Sequence, residues 1–275
     1  MRYGGVVVAA LMLAACAKSG GGSGNTAASA PAAPTSAPVD YVAGSAAAHS
    51  AADQFAALAK AAPGGQLPRQ TDPAAARLLD AVFNTGATPV SPPPSDQIGA
   101  VEAWRAAVTR TGYAYLLAGS SADASADDPA VADPASPAGQ AISTQIDRNL
   151  MAFAPEIGRY IDAQASLMGT EAEMSLATAT DPAQQGSLRR SVALITGALI
   201  DTVAESGPSV EWKRARVAAL VALAPHAAKL LAPNVREDLQ SIAMSAEAAS
   251  DPDAGLRAEF EQFQTLIGAG LPAPG

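Results

Sequence analysis

The chain has 275 residues, a net charge of −9, 49% hydrophobic but only 4% aromatic residues, and one cysteine. So acidic a balance argues against nucleic acid as a partner and against a basic face lying on anionic lipid headgroups. The lone cysteine leaves no disulfide within the chain, and the two histidines, without His-x3-His or Glu-x-x-His spacing, leave a zinc or di-iron centre without ligands; no metal and no cofactor is expected.

Residues 1–15 read as a secretory signal. Met1-Arg2-Tyr3 is a short positive start, and Gly4 to Met12 (GGVVVAALM) is an apolar core within the usual range of about 7–15 residues. It is too short to span ~30 Å of hydrocarbon, which takes about 20 apolar residues. Leu13-Ala14-Ala15-Cys16 closes it. This tetrapeptide resembles the lipobox of bacterial lipoproteins, and the resemblance covers residues 1–16 only. It implies a diacylglyceryl thioether on Cys16, cleavage before that residue, and often acylation of the new amino group. A thiol consumed in this way is no longer a liability in an oxidising compartment. Two acyl chains, at ~0.8 kcal/mol per buried CH₂, anchor a protein stably. Ala17, where an Asp would by analogy with enteric lipoproteins retain the protein at the inner membrane, favours the outer membrane. The expected address is the bacterial envelope, lipid-anchored and facing the periplasm.

Residues 16–40 contain, after Cys16, no large hydrophobe before Val39 and are dominated by Gly, Ser, Ala and Pro. Such a segment cannot bury enough surface to offset its ordering entropy, so it is expected to be a flexible tether, with an end-to-end distance of about 27 Å.

From Tyr41 onward the spacing of apolar residues at three and four, in an alanine-rich chain, predicts helices. Residues 41–118 form an N-terminal group, with one helix over 73–85 (Leu78, Leu79, Val82, Phe83) stopped by Gly86, and another over 95–118 (Ile98, Val101, Trp104, Val108, Tyr115). Residues 119–136 are an acidic loop, long enough to be a lobe boundary. Its Asp123, Ser125, Asp127, Asp128 and Asp133 fail the EF-hand pattern, because Asp128 stands where Gly is needed and Pro134 where Glu is needed. The C-terminal helical body is expected over 137–268, followed by a disordered tail at 269–275. In it Ile142, Ile146, Leu150, Phe153, Ile157 and Ile161 stay in phase through Pro155, which predicts a kink rather than a division. Leu188 to Val203 marks a helix ended by Gly207-Pro208. Further helices are expected over 209–224, briefly around Leu230, over 235–249 and over 252–267. Starts share one chemistry, an Asp or Ser cap before a proline, at Asp72-Pro73, Ser136-Pro137, Asp181-Pro182 and Asp251-Pro252, with Asn234 and Glu237 offering a capping box. The fold class is therefore all-α: about 8–10 alanine-rich helices in one domain or two lobes.

Few residues offer chemistry. Glu205-Ser206, after an apolar helix, resembles the catalytic element of lytic transglycosylases, and the resemblance implies Glu205 as general acid on peptidoglycan. The family's Gly-Leu-Met-Gln-like segment has no counterpart, residues 217–224 reading VAALVALA. A tight hairpin at Gly207-Pro208 would set Arg189 and Arg190 opposite 225–226, so that with His226 and Lys229 they form a small basic corner able to take a carboxylate or phosphate. Trp104 and Tyr115 share a core stripe, whereas Trp212 begins a helix beside Lys213, Arg214 and Arg216 and is expected to be partly exposed. The leading expectation is a non-enzymatic protein that binds or scaffolds an unidentified envelope protein or cell-wall component. The alternatives are a peptidoglycan-lytic enzyme using Glu205 and a carrier of an apolar ligand between helices.

Overall fold

The computed structural model describes residues 39–62, 66–85, 97–119, 137–204, 210–250 and 253–271. The signal, Cys16, nearly all of the tether, acidic residues 120–136, Glu205 and the Gly207-Pro208 stop lie outside the described residues. Among the described residues there are nine helices and no strand: α1 Tyr41–Ala61, α2 Pro73–Phe83, α3 Ile98–Leu116, α4 Pro137–Ala152, α5 Ala154–Thr178, α6 Pro182–Ala204, α7 Val210–Leu230, α8 Pro233–Ser250 and α9 Ala254–Ile267. The all-α expectation holds. None of these helices is long and apolar enough to cross a membrane.

The starts follow the expected chemistry, with shifts. Asp72 Oδ1 accepts the Ala74 N–H at 2.9 Å and Asp181 Oδ1 the Ala183 N–H at 2.9 Å, each ahead of a proline in the first turn. Asp40, assigned above to the tether, caps α1 by accepting from Val42 and Ala43 N–H at 3.1 and 3.0 Å. α9 is capped by Asp253, not Asp251: its Oδ1 accepts the Leu256 N–H at 2.8 Å, so the helix begins at Ala254. α8 begins at Pro233, with the Arg236 N–H bonded to the Ala232 carbonyl at 3.1 Å. Asn234 is thus already helical and cannot cap, and the box with Glu237 does not form.

Two prolines behave opposite to expectation. The helix expected to kink through Pro155 is divided at Phe153, which leaves helical geometry (φ −123°, ψ 27°) and becomes the N-cap position of α5, its carbonyl accepting the Ile157 N–H at 2.9 Å. Arg69 explains how the break is held. Its guanidinium stacks 4.1 Å above the Phe153 ring and donates to the Ala152 carbonyl, so the freed end of α4 keeps a partner. The Gln70 N–H adds a 2.9 Å bond to Glu156, a carboxylate 2% exposed. Pro225, where the sequence divides one helix into two, instead lies inside a continuous α7. Packing against α5 along its length holds it helical despite the missing donor.

α5 is the axis of the molecule. Along its length, through Ile157, Leu167 and Met174, it joins α1–α4 in a hydrophobic cluster that also contains Phe55, Leu79, Val101, Trp104, Tyr115 and Leu150. Through Ala165, with Ile161, Met168, Ala172 and Leu176 packed beside it, α5 also meets α6–α9 around Ile200, Leu220, Leu223, Leu239, Phe260 and Phe263. α7 lies parallel to α5, because Arg216 acts on Tyr160 while His226 lies against Gly169 farther along both helices. Because so many core positions are alanine, the larger rings seat on glycines. Trp104 sits on Gly44, Tyr160 on Gly112 and His226 on Gly169, each so closely that a Cβ would overlap the ring. Trp104 and Tyr115 are buried as expected, with Trp104 Nε1 donating to the Val82 carbonyl at 2.9 Å and Tyr115 Oη to the Pro68 carbonyl at 2.6 Å.

Candidate functional site

The rear end of α5, the first turns of α6 and the last turn of α7 meet around a cavity of about 310 Å³. Glu173, Leu176 and Ala177 come from α5, Gln185 and Arg189 from α6, and Lys229 and Leu230 from α7. The start of α6 therefore faces the end of α7, as an antiparallel pair requires. The continuity of α7 through Pro225 is what carries Lys229 to this point, one helical turn beyond His226.

Behind the cavity His226 is fully buried, with its Nδ1 2.6 Å from Glu173 Oε1. A carboxylate only accepts, so Nδ1 carries the proton and donates. His226 Nε2 is buried with no hydrogen-bond partner among the described residues. Lys229 Nζ donates to both oxygens of the same carboxylate, at 3.2 and 3.3 Å, and its side chain is 46% exposed. Burial pushes the Glu173 carboxyl up. The His226 hydrogen bond and the charges of His226 and Lys229 outweigh burial, and the carboxyl lies below its ordinary range. Glu173 is accordingly an ionised acceptor at neutral pH, not a proton donor. Tyr41, at the start of α1, backs this arrangement: its phenol is hydrogen-bonded to Thr170 and raised by burial.

Arg189 is exposed on the cavity rim and has no ion-pair partner among the described residues. Gln185 holds the rim by donating to the Ala179 carbonyl at 2.8 Å. No family model, curated protein or solved structure matches this chain. The site's reading thus depends on its own chemistry.

Of the basic residues singled out in the sequence, Arg189 and Lys229 share the cavity, His226 lies behind it against Glu173, and Arg190 is exposed and does not line it. Glu173 is the member that sequence reasoning missed. It lies 53 residues before His226. The only signal for it was a Glu on the apolar side of α5, close after Gly169. Glu205 and Cys16 fall outside the described residues, and so does the Trp212 side chain. His49 is exposed, its Nδ1 3.1 Å from the Ser45 carbonyl. No three His, Cys, Asp or Glu side chains among the described residues are grouped to hold a metal ion.

Proposed function

We propose that this protein is a lipid-anchored, periplasm-facing component of the bacterial envelope, more naturally of the outer than the inner membrane, whose helical body binds another envelope component without chemically altering it. The address rests on Leu13-Ala14-Ala15-Cys16 and the apolar run before it. The binding role is carried by one observation: Arg189 and Lys229, from separate helices, line a single cavity with apolar walls whose one carboxylate is already engaged by His226 and Lys229. A carboxylate held ionised in this way accepts hydrogen bonds and balances charge. It does not supply the proton that glycosidic cleavage needs from an acid.

The test is a photo-crosslinking residue at Ala177, on the exposed cavity wall, compared with one at Glu237, exposed on α8, in intact cells. Capture of one partner from position 177 but not from 237 is the expected result. Equal capture at both would remove the cleft from the account. Purified protein that turns over murein, and loses that turnover on Glu205→Gln, would replace binding by lysis. Intact-mass measurement of the membrane fraction checks the anchor: the expected species begins at Cys16 and carries its acyl chains, and a Cys16→Ser form should leave the membrane.

A further inference from the structure

We infer that the cleft between α5, α6 and α7 receives a monocarboxylate with a short aliphatic body, a narrower statement that rests on the binding reading above. The charges around the cavity set the ligand's charge. Among the side chains that line it, Lys229 and Arg189 are cations and Glu173 an anion, a surplus of one positive charge; His226 lies behind Glu173 and does not line the cavity. One negative charge satisfies that surplus. A dianion such as a phosphate monoester would place its second charge against Glu173, in surroundings that screen it less than water does.

The donors set the head group. Lys229 Nζ uses two N–H bonds on the Glu173 oxygens and keeps a third. Arg189, without an ion-pair partner among the described residues, presents its planar fork, which matches the two oxygens of a carboxylate. Immobilising Lys229 on a buried carboxylate lowers the entropy lost when it grips a ligand. The walls set the body. Leu176, Ala177 and Leu230 are aliphatic, and the volume of about 310 Å³ lies at the small end of ordinary ligand pockets. His226 never reaches the ligand in this arrangement. It is a positioning residue that fixes Glu173 so that Glu173 fixes Lys229.

The experiment is calorimetric titration of the full-length protein in detergent with hexanoate, butyrate and inorganic phosphate. Saturable binding is expected in the order hexanoate, butyrate, phosphate. Arg189→Gln, an exposed change that spares the core, should weaken hexanoate about tenfold or more, the loss of one charge-assisted contact, while Arg190→Gln leaves it unchanged. Glu173→Gln should narrow the preference for hexanoate over phosphate. Lys229→Gln, exposed enough to fold in any case, should abolish hexanoate binding. No saturable hexanoate binding, phosphate binding as tightly as hexanoate, or indifference to Arg189→Gln would each overturn the inference. If position 177 still captures its partner in an Arg189→Gln background, the carboxylate inference fails and the binding reading survives. Loss of position-specific capture in the unaltered protein sinks the binding reading itself.

Discussion

A methyl group at Gly169 would overlap the His226 imidazole, whereas nothing lies within 4 Å of a methyl at Gly158 or Gly186. All three glycines are helical, so an added methyl gains about 0.5–1 kcal/mol from backbone entropy at each. At Gly169 that gain meets a ring fixed by Glu173, and overpacking of this kind costs about 1–3 kcal/mol. Gly158→Ala and Gly186→Ala should therefore raise the urea midpoint, and Gly169→Ala should lower it, all with unchanged slope. Glu173 leads to a pH prediction. Its folded pKa lies below the ordinary 4.5, so the stability it contributes is complete above that value and drains away as pH falls through the lowered one. Urea unfolding from about pH 7 to about pH 3 should show the gap between the natural protein and Glu173→Gln closing on the acid side. A constant gap would mean that the carboxylate's charge contributes nothing.

At the scale of the element, two prolines with the same local chemistry meet different fates. Pro155 stands at the second position of α5, where a backbone N–H has no intrahelical partner to lose. Pro225 stands within α7, where it deprives the Val221 carbonyl of its donor. Pro155→Ala should change stability by less than about 1 kcal/mol, slightly downward, through added freedom of the unfolded chain. Pro225→Ala has that same loss but regains a hydrogen bond, and should stabilise the fold by about 1 kcal/mol or more. Neighbouring residues alone predicted the reverse assignment, because the phase of apolar residues runs unbroken through Pro155, whereas the helix expected over 209–224 stops just before Pro225. What they could not contain is Arg69, which reaches the Phe153 ring and the Ala152 carbonyl from 83 residues away. Two of the expected caps were legible in the sequence. Asp72 and Asp181 act where expected, whereas α9 is capped by Asp253, two residues after the expected Asp251.

Across the whole molecule, two hydrophobic clusters share α5, which contributes Ile157 and Leu167 to one and Ala165 to the other. α7 crosses the same boundary, with Ala215 in the first cluster and Val217 in the second. Neither cluster can lose its order without exposing a helix the other needs, so the described body should unfold as one cooperative unit. Leu220, fully buried in the second cluster, tests this against Trp104 in the first. In a Trp212→Phe background, Leu220→Ala should cost about 2–5 kcal/mol and lower the Trp104 fluorescence midpoint together with the helical circular-dichroism midpoint. Separate midpoints would show two independent units.

Helix content, the starts at Asp72-Pro73 and Asp181-Pro182 and the buried faces of α2, α3 and α9 could be read from the sequence alone, because each depends on residues within about four positions of one another. Arg189, His226 and Lys229 were legible as cations, and the antiparallel pairing of α6 with α7 drew them to one end. Tertiary structure alone decided that Glu173 stands between His226 and Lys229, that Arg190 stays outside the cavity, and that α7 continues past Pro225 to deliver Lys229. The physical reason is the parallel packing of α5 on α7 at Gly169, a contact between residues far apart in the chain. Its energy comes from shape and burial, which the order of residues along a single helix does not contain.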